Sequence, residues 1–279
     1  MGIDLHIHSS FSDGLMTPEE LVKEFIRLDL AIISIADHDT MAGVPKFQEL
    51  TKDTGITYIP GTEINTEVPG DEIHILGYGI DHHNTELLDF MTVLRGKRIE
   101  RVKRIVEKLN QLGKAITYEE VCTNCKGDSL GRPHIAFTMM KKGWVSTVVE
   151  AFQKYIAYGK PAYVPREGID PAEAIKAIKN AGGLAVLAHP GLLRKENIIQ
   201  EMIALGIDGL EAFYPEHSHS QERRFKQLAK ENNLIVTGGS DFHGWKSHKS
   251  RQLGRSFLEM EDFQEFAARL NNHGIPKKL

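Results

Sequence analysis

The first stretch of the chain, GIDLHIHS over residues 2–9, alternates apolar and polar residues with a period of two. In an extended strand this puts Asp4, His6 and His8 on one face and Ile3, Leu5 and Ile7 on the other. Such a polar face suits either a half-solvated edge strand or a strand whose polar side chains find partners inside the fold. Thr17-Pro18-Glu19-Glu20 then reads as a helix start, with Thr as N-cap, Pro at the first helical position and Glu20 closing a capping box. Leu21, Val22, Phe25, Ile26 and Leu28 supply that helix with a buried stripe. The apolar run AIISIAD (31–37) has no alternation, as expected of a strand covered on both faces, and ITYIPGTEI (56–64) is a further strand.

The same grammar returns late in the chain. DPAEAIKAIKNAGG (170–183) opens on Asp and Pro and closes on Gly, and the strands in LAVLAHP, GLEAFYP and LIVTGGSDFHG each follow a helical stretch. Strand and helix in alternation predict an α/β fold of the (β/α)-barrel kind. Residues 85–158 differ: Leu87, Leu88, Met91 and Leu94, then Val102, Ile105, Val106 and Leu109, recur at helical spacing among many basic residues. This segment is expected to be an inserted helical cap, with 1–84 and 159–279 forming the barrel domain.

Composition narrows the function. With 279 residues and 41% hydrophobic content the chain is long enough for one sizeable core carrying an insertion. A net charge of −4 and a pI near 6.4 leave no global basic field, so contact with a long nucleic-acid duplex is not expected. No apolar run reaches membrane-spanning length and the N-terminus enters a charged strand, so the expectation is a cytoplasmic protein with no membrane partner. Cys122 and Cys125 lack a second CxxC pair and read as reduced thiols in a loop.

The chemistry gathers at the ends of the strands. His6 and His8, Asp37-His38-Asp39, Glu63, His189, His217, Asp241 and His243 all fall there, and His74 shares a face with Glu72 in EIHILGY. In a barrel of parallel strands those ends converge on one mouth. Buried imidazoles and carboxylates are costly without partners, so this many at one mouth point to metal. Nitrogen and oxygen donors without thiolate suit zinc, manganese or iron, and their number exceeds one ion's needs, so two to three divalent ions are expected.

The motifs DLHIHSSFSDG, IADHDT, GTEI, EIHILGY, LAHP and GSDFHG, in that order, resemble the PHP (polymerase and histidinol phosphatase) family of metal-dependent phosphoesterases, whose fold is a distorted seven-stranded (β/α) barrel. Within it the chain is similar to the stand-alone TrpH/YciV-like branch, which includes nucleoside 3′,5′-bisphosphate phosphatases and a 5′→3′ exoribonuclease acting on short RNA. The resemblance implies a first ion on His6, His8, Glu63 and Asp241, with Glu63 bridging to a second on His74 and His189, and a third on Asp13, His38 and His243. Asp13 stands where some relatives have His, which favours harder ions such as manganese or iron. Asp4 and Asp39 are expected to accept hydrogen bonds from ligand imidazoles.

A hydroxide bridging paired ions is the expected nucleophile, since such ions lower the pKa of water and neutralise both the entering and leaving oxygens. His217 is the candidate for substrate contact or for delivering a proton to the leaving oxygen. In SLGRPHIA, Arg132 and His134 flank Pro133 at a helix start, a place for a second substrate phosphate, with Lys160 and Arg166 as further contacts. His82, His83, His219, His248 and His273 lack context and are read as solvated. The expected substrate is a small phosphorylated nucleotide: a nucleoside 3′,5′-bisphosphate cut to the 5′-monophosphate and phosphate, or a short 5′-phosphorylated oligonucleotide. A histidinol-phosphatase-like activity and a metal-dependent amidohydrolase are the alternatives. Against the second, Glu63 stands at the bridging position and no lysine lies at a strand end.

Overall fold

The computed structural model describes residues 2–166, 169–245, 252–254 and 258–271; His248 and His273 lie outside them. Seven strands, β1 (Gly2–Ile7), β2 (Leu30–Ile35), β3 (Thr57–Val68), β4 (Asp71–Tyr78), β5 (Leu184–Leu187), β6 (Gly209–Phe213) and β7 (Ile235–Gly238), form one sheet in sequential order. Pairing is parallel along β1-β2-β3 and along β5-β6-β7. Just past β7, Phe242 makes a parallel bridge with Ile7 and accepts a hydrogen bond from the His8 amide.

An all-parallel set is not what forms. β4 runs antiparallel to both β3 and β5. The connection from β3 to β4 is only Pro69-Gly70, with Gly70 at φ 91°, too short for the crossover that parallel pairing needs. β3 is also longer than expected, 12 residues, because its second half is one arm of this hairpin. His74 therefore comes from the middle of β4, opposite Asn65, and not from a strand end.

Helices α1 (Pro18–Arg27) and α2 (Val44–Thr51) follow β1 and β2. The capping box of α1 is made as the sequence predicts, with Thr17 and Glu20 bonding each other's amides. Between β4 and β5 come α3 (Thr85–Gln111), α4 (Tyr118–Cys122), α5 (Arg132–Lys141), α6 (Val148–Ala151, continued by a π turn over Phe152–Ile156) and α7 (Pro171–Asn180). α8 (Asn197–Ala204), α9 (His219–Glu231) and α10 (Met260–Asn271) complete the chain.

The strands and their covering helices share one large apolar core, and a smaller one lies beneath α1 and α2 around Leu21, Phe25, Ile33 and Phe47. A separate apolar cluster runs from Val102 to Val164. Helix α3 joins two of these regions: Leu87, Met91 and Leu94 belong to the sheet's core, and Val102, Ile105, Val106 and Leu109 to the separate cluster. Among the described residues no helix is long and apolar enough to cross a membrane.

Candidate metal centre

The polar face of β1 is not solvated: Asp4, His6 and His8 are each 0% exposed. His8 Nε2 lies 3.1 Å from Asp241 Oδ1 and 3.3 Å from Glu63 Oε2. His6 Nε2 lies 3.4 Å and 3.6 Å from the Glu63 and Asp241 carboxylates. The other Glu63 oxygen, Oε1, faces His74 Nδ1 at 2.7 Å and His189 Nε2 at 3.2 Å. One carboxylate thus divides its oxygens between two pairs of imidazoles. On the far side Asp13 meets His243 Nε2 at 3.4 Å and His38 Nε2 at 3.8 Å. The nine residues expected as ligands are brought together, and three groups, His8 with Asp13, His38 and His243, His6 with His8 and Asp241, and His38 with Glu63 and His74, each present ligand atoms within 4.8 Å of one another.

The backbone accommodates this with strain. His189 (φ 30°), Asp241 (φ 48°) and Asp39 (φ 52°) adopt the left-handed region, which is uncommon for residues other than glycine. Gly239 is required for a different reason: a Cβ there would stand 2.4 Å from the His6 amide and Cβ, so only glycine lets the chain leaving β7 pass this close to β1.

Several atoms of the cluster have no hydrogen-bond partner among the described residues. They are His6 Nε2 and His8 Nε2, both turned to Glu63 Oε2, that oxygen itself, and His8 Nδ1 on the side of Asp13, all buried. Orphaned polar atoms in a dry interior are costly unless something else satisfies them. Burial opposes charge on His8, yet Asp241 and Glu63 lift its pKa to about 9. Burial likewise opposes a charged His6, but Glu211, Glu63 and Asp241 hold it well above the usual range. Asp13 is buried too, and His243 and His38 nevertheless keep it well below ordinary carboxylate values. Burial brings His38 down to about 4. The carboxylates call for positive charge and the imidazoles offer lone pairs, so the donor set fits divalent metal ions.

The orienting partners differ from those expected. Asp4 takes no imidazole; it accepts the amides of His6, Ser240 and Gly254. Asp39 pairs with Arg98 and accepts the Asn65 amide. The imidazole acceptor is Glu211, fully buried on β6, which takes His6 Nδ1–H at 2.8 Å with one oxygen and the His189 amide at 2.8 Å with the other. This fixes the His6 tautomer with its Nε2 lone pair toward the cluster. Tyr214 donates to Asp241 Oδ2 at 2.9 Å, and Asp37 accepts from Ser9 and Ser12, pinning the loop that carries Asp13.

A cavity of about 460 Å³ opens above the cluster. Its lining includes Arg98, Arg132 and Arg166 together with Val148, Phe152 and Trp245, and the Arg132 guanidinium lies over the Phe152 ring. Arg132 contacts Glu72 Oε2 at 2.5 Å, and Arg101 contacts the other oxygen at 2.6 Å. Glu72 is half-buried, and Arg132, Arg166 and Arg101 hold its pKa well below the ordinary range. Burial, with Arg98 and Arg101 nearby, pushes Arg166 down to about 9. Arg98 Nη2 and Arg166 Nε are buried with no partner among the described residues.

Other expected contacts lie elsewhere. Lys160 is exposed and does not line this cavity. His134 turns to the start of its own helix, accepting the Gly131 amide at 3.0 Å, and lines a smaller cavity of about 220 Å³ behind Asp13. His217 is buried; its Nδ1 donates to the Ala212 carbonyl and its Nε2 accepts the Gly191 amide, so proton delivery would require one of those bonds to break. His219 and His83 are exposed and His82 half-buried. Cys122 and Cys125 are free thiols packed beside the separate helical cluster, and burial pushes Cys125 up to about 11.

The PHP domain model matches residues 4–138. The 5′-3′ exoribonuclease Rnm of Salmonella typhimurium is 34% identical over 86% of this chain and 84% of its own length. The 3′,5′-nucleoside bisphosphate phosphatase of Chromobacterium violaceum is 31% identical over 86% and 87%. Among solved structures, a provisionally named metal-dependent phosphoesterase from Bifidobacterium adolescentis superposes with a TM-score of 0.89 at 32% identity, covering 99% of this chain and 98% of its own. An amidohydrolase from Chromobacterium violaceum, solved with bound sulfate and no metal, gives 0.88 at 28% identity over 98% and 97%.

Proposed function

This chain belongs to the PHP domain family, and on that premise we propose that it hydrolyses a phosphate ester in a nucleotide that carries a second phosphate. That it is a metal-dependent phosphoesterase follows from the family; the substrate is the reading advanced here. The substrate class is a nucleoside 3′,5′-bisphosphate or a short 5′-phosphorylated oligonucleotide, in line with the names of its relatives. The carrying observation is the meeting, in one cavity, of the His/Asp/Glu cluster with Arg98, Arg132 and Arg166.

In this reading His6, His8, Glu63 and Asp241 hold one divalent ion, Glu63 with His74 and His189 a second, and Asp13, His38 and His243 a third. Bound ions of this kind supply Lewis-acid charge at the phosphoryl oxygens and make water a better nucleophile. The protein's own residues do the rest. Glu211 and Tyr214 keep His6 and Asp241 in orientation. Arg98, Arg132 and Arg166 grip the phosphate that is not cut, fixing the neighbouring ester over the cluster. Val148, Phe152 and Trp245 give an apolar wall for sugar and base. The sheet is read as a barrel, supported by the Ile7 to Phe242 bridge, and the insertion as its cap, supported by the separate cluster from Val102 to Val164. A cytoplasmic location fits such substrates.

The test is Arg132→Ala on two substrates. Metal content should be unchanged. kcat/KM for a nucleoside 3′,5′-bisphosphate should fall by the equivalent of roughly 2–4 kcal/mol, the scale of a lost charge-assisted contact and its orienting effect. A simple monophosphate ester offers no second anion and should change far less. Equal losses on both would move Arg132 to the reacting phosphoryl group and overturn its anchoring role.

A further inference from the structure

A second cavity of about 270 Å³ continues from the first past His74 and His189. The two share Arg132, Phe152 and Leu192 as well as those two histidines, so a ligand can pass from one to the other over a common wall. At its outer end the Arg194 guanidinium lies over the Tyr158 ring, 3.7 Å from the centroid, and the Tyr163 ring stands 5.2 Å from Tyr158. Tyr158 is 50% exposed, unusual for a large aromatic that neither fills the core nor caps an element. The stack is held in place from behind: the Arg194 amide donates to Asp71 at 2.7 Å, and its guanidinium donates to the Gly70 carbonyl at 3.3 Å. The carboxylates lining the groove are already committed, Asp71 to that amide and Glu72 to Arg101 and Arg132. The charge of Glu72 is offset by its two arginines, and Asp71 lies beside Arg194, whose amide it accepts.

A rigid aromatic face under a guanidinium, beside arginines and continuous with a phosphoester site, matches the chemistry of single-stranded nucleic acid: a base to stack and a phosphate to neutralise. We propose that this groove is a subsite for the nucleotide following the cleaved ester, with Tyr158 and Arg194 carrying its base and phosphate, so that the enzyme prefers a short 5′-phosphorylated oligonucleotide to a mononucleotide bisphosphate. This rests on the function proposed above and selects between its two substrate forms. A bisphosphate ends at the transferred phosphoryl group and leaves the groove empty. An oligonucleotide has a further nucleoside esterified to that phosphoryl group, and the groove is where it goes.

The experiment compares a 5′-phosphorylated RNA trinucleotide with a nucleoside 3′,5′-bisphosphate, using wild type, Tyr158→Ala and Arg194→Ala loaded with manganese. Each variant should lose roughly tenfold or more in kcat/KM on the trinucleotide, while its activity on the bisphosphate moves by less than about twofold. With chelator present to block cleavage, the Kd of a 3′-fluorescein-labelled 5′-phosphorylated trinucleotide should weaken in parallel. The bisphosphate rate is the internal check that each variant is folded. Equal losses on both substrates, or no loss on either, would overturn the subsite. Wild type that cuts the bisphosphate but not the trinucleotide would overturn the subsite and leave the proposed function standing; wild type that cuts neither would overturn both.

Discussion

Glu211 controls more of the centre than any residue outside the expected ligand set. Its two oxygens fix the His6 ring and the His189 amide, one from each of two proposed ion positions. Glu211→Gln keeps the shape but turns one acceptor into a donor, which confronts either Nδ1–H of His6 or the His189 amide. Loss of such an orienting partner weakens metal binding by about 10–100-fold. Titration of the chelated variant with manganese should show that loss with the far-ultraviolet circular dichroism unchanged; wild-type affinity would remove Glu211 from the account. The expected ligands were legible because histidines and acids interrupt apolar strands. Glu211 carries the same signal, a lone acid in GLEAFYP, but its role depends on which elements, β1 and the end of β5, bring His6 and His189 to it, and that is a matter of topology. Asp4 and Asp39 are taken by backbone amides and Arg98 in place of the imidazoles that the sequence led us to expect.

Helix α3 illustrates what an element's pattern reveals and what it hides. Its stripe of Leu87, Leu88, Met91, Leu94, Val102, Ile105, Val106 and Leu109 was readable from spacing, and all but Leu88, which is exposed, are buried. Arg98 and Arg101 fall at the stripe's own intervals of three and four after Leu94, and both are buried as well, 6% and 5% exposed. Arginines at core positions of an amphipathic helix are a signal for a buried anion partner; here the partners are Asp39 and Glu72. The hairpin of β3 and β4 was legible as alternation but not as direction. A two-residue Pro-Gly link was the available clue that β4 must turn back. Lys160, expected at the pocket, is left on the surface by the chain between α6 and α7.

For the whole molecule, the cluster couples metal binding to stability and pH. Without metal, His8 has a folded-state pKa of about 9 against 6.5 for the free side chain. A raised histidine stabilises the fold fully below pH 6.5, and that contribution is lost as pH rises to 9. Bound metal takes the place of the proton and removes this loss. The Tm gap between manganese-loaded and chelated protein should therefore widen between pH 6.5 and 9, by the equivalent of a few kcal/mol. Differential scanning fluorimetry across that range reads it, and a constant gap would contradict the proposed occupancy of His8. The most direct test of the central claim is turnover of a nucleoside 3′,5′-bisphosphate by the full chain, with products separated chromatographically. The account predicts 5′-monophosphate and inorganic phosphate in equal amounts, abolished by chelation and restored by manganese, iron or zinc. Turnover that survives complete metal removal, or no hydrolysis of either the bisphosphate or a 5′-phosphorylated oligonucleotide with any of the three ions, would contradict it.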